Sequence, residues 1–195
     1  MDSTDRLERW SRVAALLHWT VFALLVVQLA IGALIFSLDM YVSEDVQVYL
    51  RWVPTHKSVG LTILLLMLIR LGWRVTHPRP AWPPGLPLWQ RRAAAINHGL
   101  LYALLILQPL LGLAQSSAYG ATTRFWGLFE VPSIVPEAWS RPNTDVFRLA
   151  AQDAHSVVAI LLVASIAIHF AAVIKHHWLD RVPVLGRMLP RIRDR

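Results

Sequence analysis

The sequence predicts an all-α protein, a four-transmembrane-helix bundle with both termini cytoplasmic. Three observations predict it. The 195-residue chain is 55% hydrophobic and only 16% charged, below the ~25% charged residues usual in soluble domains. Four apolar runs are each long enough to cross a bilayer whose hydrocarbon core is ~30 Å thick. Lys and Arg are distributed unevenly among the segments that join those runs.

Residues 1–12 are polar and end in arginine. The apolar run after them is too long for a signal peptide, and no cleavage site follows it, so none is expected. The first span covers about residues 13–36. Residues 37–54, with Asp39, Glu44, Asp45 and Arg51, read as a loop. The second span covers about 55–75, and the proline-rich HPRPAWPPGLPLWQRR after it cannot continue a helix. The third span covers about 94–117. Residues 118–149 form the longest loop, with Pro132, Pro136, Pro142 and several aromatics. The fourth span covers about 150–177, and the basic tail RVPVLGRMLPRIRDR is expected along the membrane surface. Residues 1–195 are read as one membrane domain.

Charge sets the expected orientation. Arg6, Arg9 and Arg12, five arginines around the second connection, and six Lys or Arg in and after the end of span four make fourteen on one side. Arg51, Lys57, Arg124, Arg141 and Arg148 make five on the other. The rich side is expected to be cytoplasmic. The net charge of +7 does not call for nucleic acid, because the basic residues sit beside apolar spans. Nine tryptophans, several at span ends, suit interfacial anchoring. With no cysteine, disulfides, thiolate zinc sites, cysteine-ligated iron–sulfur clusters and covalent c-type haem are excluded.

Each span carries two marked residues fourteen apart: His18 and Gly32, His56 and Arg70, His98 and Gly112, His155 and His169. On a helix, fourteen residues return to within ~40° of the same face and rise ~21 Å. Because the spans alternate in direction, these residues form two levels. Gly32, His56, Gly112 and His155 lie at the outer one, and His18, Arg70, His98 and His169 at the inner one. Histidine inside a membrane span is costly and marks function. Two imidazoles at one level suit the axial positions of haem iron, and glycines on the other helices let a flat macrocycle approach. His56 and His155 are the outer ligand pair on this reading. At the inner level, depth alone does not choose two ligands among His18, His98 and His169. Single glycines of this kind also serve ordinary helix packing. Arg70 suits either a buried haem propionate or snorkelling to headgroups.

HWT in span one, HKSVG opening span two, NHGLLY in span three, DAHS opening span four and HFAAVIKHHW closing it resemble the bacterial cytochrome b561 family. The tail DRVPVLGRMLPR is similar to that family's C-terminal segment. The resemblance implies a four-helix inner-membrane protein with two haems b. It implies His18 and His169 as the inner pair and His56 and His155 as the outer pair, with His98 a non-ligand beside the cofactor. One branch of the family passes electrons from periplasmic superoxide to ubiquinone.

The expected function is therefore transmembrane electron transfer, probed by three alternatives. The chain acts as a superoxide:ubiquinone oxidoreductase, as the anchor and relay subunit of a periplasmic dehydrogenase or hydrogenase, or as a non-redox bundle. Outer basic residues could attract an anion, although seven acids share that side. His176 and His177 suit a quinone or proton site, and His176 lies two turns from His169 on nearly the same face. An interfacial, headgroup-wetted pair is the plainer reading of both. Lys57 suits an outer propionate, and His77 suits solvent. Gln28, Gln108 and Gln115 suit interhelical hydrogen bonds. Phe125, Trp126, Phe129 and Trp139 suit a docking surface or a lid. Membrane lipid, quinone and a periplasmic donor protein are the expected partners.

Overall fold

The computed structural model describes residues 9–136 and 145–189. Four helices are long and apolar enough to cross a membrane: α1 Arg12–Phe36, α2 Ser43–Thr76, α3 Leu88–Ala118 and α4 Asp145–Ile174. The chain is a multi-pass membrane protein. Many large apolar side chains, such as Leu65, Ile69, Ile160 and Ile168, face outward, as lipid requires.

Where the helices begin differs from the sequence reading. α1 starts within a residue of the expected span, with Ser11 Oγ accepting from Ala14 N at 3.2 Å. α2 begins at Ser43, inside the segment read as a loop, and runs through Pro54. Glu44 and Asp45 in its first turn complement the helix dipole. α3 begins directly after Pro87, so Leu88 to Arg92 are helix and not loop. α4 is already helical at Asp145, which pairs with Arg148 one turn on at 2.9 Å. In each case a polar helical turn outside the bilayer had lowered the apolar signal that marks a span.

The long connection also holds a small antiparallel hairpin, β1 Thr123–Phe125 with β2 Phe129–Val131. Trp126 and Gly127 at its turn both have positive φ, 49° and 75°, as a tight hairpin turn requires. Trp126 N donates to Ser58 Oγ at 3.0 Å and its indole to Thr62 Oγ1 at 3.1 Å, which pins the hairpin to α2. Trp139, Arg141 and Pro142 lie outside the described residues.

After α4 the chain continues as one π-helical turn, Lys175–Leu179. The tail then folds back on the bundle. Met188 O accepts from the Trp19 indole at 3.0 Å, Arg187 O from Trp10 N at 3.2 Å, and Arg187 donates to Ala81 O at 2.6 Å. The tail thus fastens the first helix to the second connection. His77, expected to be solvated, is exposed and stacks on Trp73 at 3.6 Å and 11°.

The core is an apolar layer at mid-bundle: Val21 and Leu25 of α1, Val59, Ile63 and Met67 of α2, Leu104 and Leu105 of α3, and Leu162 of α4. It separates two histidine levels, one toward the end of the bundle that carries the termini and one toward the end that carries the hairpin.

Candidate functional site

At the hairpin end, His56 of α2 and His155 of α4 face each other. Their ring centroids are 6.5 Å apart and the rings are nearly perpendicular, at 75°. Gly32 and Gly112 lie at this level. A Cβ on Gly32 would stand 3.6 Å from His56 Cε1, and one on Gly112 would stand 3.0 Å from His155 Cε1. The two glycines therefore differ. The first contact is ordinary, whereas the second forces the imidazole to give by a few tenths of an ångström. Gly112→Ala is expected to displace His155 at a cost of about 1–3 kcal/mol, and Gly32→Ala to be near neutral. Thermal unfolding of the two variants in detergent checks the contrast.

Gln28 and Gln108 are the site residues the sequence reading left unconnected to the histidines. The Gln28 amide nitrogen lies 3.1 Å from His56 Nε2, and that of Gln108 lies 3.2 Å from His155 Nε2. Their role as interhelical hydrogen-bonders holds, while the Gln115 side chain makes no such bond among the described residues. The signal was available, because each Gln precedes its glycine by four residues and so shares its face.

At the terminal end, His169 of α4 stands between His18 of α1 and His98 of α3. The His18–His169 centroids are 6.4 Å apart at 71°, and the His98–His169 centroids 5.2 Å apart at 74°. His98 Nδ1 donates to the Ala94 carbonyl one turn earlier, at 2.6 Å. Asn97 holds α3 to α4 beside this cluster, receiving a hydrogen bond from Ser165 Oγ at 2.8 Å. Arg70 is half-buried, its guanidinium 5.3 Å from the Tyr102 ring centroid. Arg74 approaches the same ring at 5.4 Å.

These distances can be tested against a metal. Two iron–nitrogen bonds of about 2.0 Å, with each imidazole centroid about 1.1 Å behind its nitrogen, would separate the centroids by roughly 6.2 Å. The 6.4 and 6.5 Å pairs meet that requirement. The 5.2 Å pair is too close. Nδ1 of His18, His56 and His155 is buried without a partner, which is costly for a ring nitrogen in an apolar bundle unless something absent from the protein engages it. Four neutral imidazoles in two facing pairs fit haem iron.

Lys57 follows His56 in α2 but turns toward the hairpin. Its Nζ donates to Ser116 Oγ at 2.7 Å and to Thr122 O at 3.4 Å. Below the terminal level, the π-helical turn carries His176 and His177. His176 Nδ1 donates to Asp180 Oδ2 at 2.8 Å, and Lys175 Nζ contacts the same oxygen at 2.6 Å. These two hydrogen bonds, Lys175 first, hold the Asp180 carboxyl below the usual carboxylate range. Asp180 was missed although it follows His176 by four residues, an ordinary helical spacing; its contact with Lys175, five residues away, is the one the wider π turn allows. His177 packs edge-on against Trp178 at 4.7 Å.

Comparison with known proteins agrees with this architecture. Cytochrome b561 homolog 2 of Escherichia coli (strain K12) is 29% identical over 189 residues, covering 97% of this chain and 95% of that protein. Cytochrome b561 homolog 1 of the same organism is 29% identical over 185 residues, covering 95% of this chain and 99% of that protein. A protein named probable superoxide oxidase CybB, from Yersinia pestis, is 25% identical over 179 residues, covering 91% and 93%. The family description "Prokaryotic cytochrome b561" matches residues 9–191, which take in all four helices and both histidine levels. The chain therefore belongs to the prokaryotic cytochrome b561 family, whose members are haem b electron-transfer proteins of the membrane.

Proposed function

We propose that the chain carries electrons across the bacterial inner membrane through two haems b, from a periplasmic donor such as superoxide to ubiquinone. His56 and His155 hold one haem, and His18 and His169 hold the other. The observation that carries this reading is the pair of matched separations, 6.5 and 6.4 Å, on two levels of one bundle. His98 stays outside both pairs. It stands too close to His169 for a shared iron, at 5.2 Å between ring centroids.

Haem iron supplies a one-electron couple, and bis-imidazole ligation favours electron transfer over oxygen chemistry. The chain's own residues do the rest. The mid-bundle apolar layer keeps water and ions from following the electron between levels ~21 Å apart. Lys57 has only neutral acceptors, Ser116 Oγ and Thr122 O, among the described residues. It keeps its charge for a propionate at the His56 level. Arg70 serves a propionate at the other level while the Tyr102 ring supports its guanidinium. His98, Gly32 and Gly112 line the two cofactors without ligating them.

Quinone reduction consumes protons at the terminal end, and the excess of Lys and Arg there supports a cytoplasmic side for it and for both termini. His176 is the proton donor, with His177 beside it. Asp180 accepts from His176 Nδ1–H, and the proton given to the quinone is the one the imidazolium carries on Nε2. Because the Asp180 carboxyl is held below its usual range, this contact persists above that range and is lost only as pH falls through the lowered value. Asp180→Asn is expected to lower kcat/KM for ubiquinone about tenfold, and His176→Ala on the order of a hundredfold. Neither is expected to change haem content. Steady-state quinone reduction beside a haem assay checks both.

The superoxide donor is suggested by the name of the Yersinia pestis relative. A second reading, a relay subunit for a periplasmic dehydrogenase or hydrogenase, is favoured by the hairpin tip, where Trp126, Leu128 and Phe129 are exposed. Purified protein decides between them. Two b-type haems that superoxide reduces rapidly support the oxidoreductase, two haems inert to superoxide support the relay, and no haem after haem-replete expression refutes both.

A further inference from the structure

α1 and α3 carry the same spaced triplet. His18, Gln28 and Gly32 in α1 match His98, Gln108 and Gly112 in α3, residue for residue at an offset of eighty. The structure gives the repeated amide one repeated task. Gln28 meets His56 of the following helix at 3.1 Å, and Gln108 meets His155 of the following helix at 3.2 Å. The glycine one turn further on lies against the same ring in both cases. Each imidazole is thus seated in a notch on the preceding helix, made of one amide and one stretch of bare backbone.

Both notches restrict the amide as well. A Cβ on Gly60 would stand 3.3 Å from the Gln28 amide nitrogen, so a bare residue on α2 makes room for that side chain. The Gln108 nitrogen also donates to the main-chain oxygen of His155 at 3.1 Å, which ties ring and backbone together. The oxygens of both amides are buried without a partner. Two such amides inside an apolar bundle are costly. Their registration on the two rings is the common feature that accounts for both.

We propose that Gln28 and Gln108 are a matched pair of positioning residues that hold the His56 and His155 imidazoles in their crossed orientation and so set the electronic character of the haem between them. This rests on the haem reading above. In a ligand imidazole the ring nitrogen away from the iron carries the proton and donates, so each glutamine would turn its otherwise unpartnered amide oxygen to that N–H and so fix ring orientation and basicity. The amides do this from the helices that carry no ligand at this level. The His18–His169 pair has no glutamine against it among the described residues.

The test replaces each glutamine with methionine, which keeps an unbranched side chain of similar length and removes the amide. Gln115→Met, also in α3 but with no side-chain hydrogen bond to either ring among the described residues, is the control. The readouts are haem per chain, the low-spin g values of each haem by electron paramagnetic resonance, and the midpoint potential of each. In Gln28→Met and Gln108→Met, two haems are expected to remain. The signal and potential of the haem lost in His155→Ala should shift, the other haem should stay as in wild type, and the double variant should shift furthest. Gln115→Met should match wild type. Two haems with unchanged g values and potentials in both single variants would overturn the proposal, and so would equal shifts at both levels. Wild-type protein lacking two haems would instead fail the haem reading, and that count is made first.

Discussion

His155→Ala is expected to bind one haem where two are expected in the wild-type protein, and the haem that remains is expected to keep its spectrum. The expectation follows from how the levels are built. His155 faces only His56 across 6.5 Å, and the residues opposite on the other two helices are glycines. No third imidazole stands at that level to replace it. The levels are separated by ~21 Å of helix and by the layer from Val21 to Leu162, so the loss should not spread. Its effect on transmembrane electron transfer is expected to be complete, because one half of the path is gone. The variant leaves a ring-sized space against the bare backbone of Gly112, and added imidazole should enter it and restore part of the second haem. Haem per chain by the pyridine haemochrome assay, with and without imidazole, reads this directly. Retention of two haems in His155→Ala would falsify the ligand assignment.

The fourteen-residue spacing made the two levels legible in the sequence. It depends only on helical periodicity, and uninterrupted apolar spans keep that periodicity over their whole length. It placed Gly32, His56, Gly112 and His155 at one level, and the structure sets Gly32 against His56 and Gly112 against His155. Periodicity gives height and face, but not the distance between helices. Nothing in the spacing separates a 6.4 Å pair from a 5.2 Å pair, so His18 and His98 looked alike at their level. The hairpin was missed because strands of three residues have too little alternation to read, and its turn takes Trp126 at positive φ where glycine or asparagine is the usual signal. The start of α2 was missed because Glu44, Asp45, Arg51 and Pro54 suggest a loop. They are instead the polar first turns of a helix that continues beyond the apolar layer. Asp180 was missed because it lies beyond the apolar span, although its four-residue spacing from His176 is ordinary helical register.

The second large effect is a contrast between two histidines that sequence geometry could not tell apart. His18→Ala is expected to lose one haem, and His98→Ala to keep both. His18 lies at a bis-imidazole distance from His169, with its Nδ1 buried and unpartnered. His98 lies more than an ångström closer, and its Nδ1–H is bonded to Ala94 O at 2.6 Å. A ring so held is fixed in orientation by its own helix, and at 5.2 Å between centroids it leaves too little room for an iron shared with His169. Removing it should therefore leave ligation intact and disturb only the surroundings of His169, with a small shift in the potential of that haem. The opposite pattern, with His98 needed and His18 dispensable, would require α3 to withdraw from α4. Asn97 and Ser165 hold those helices together one residue from His98 and one turn from His169, so the clasp opposes that withdrawal. Haem counts and redox titrations of the two variants, made side by side, separate a ligand from a neighbour at the same depth in the membrane.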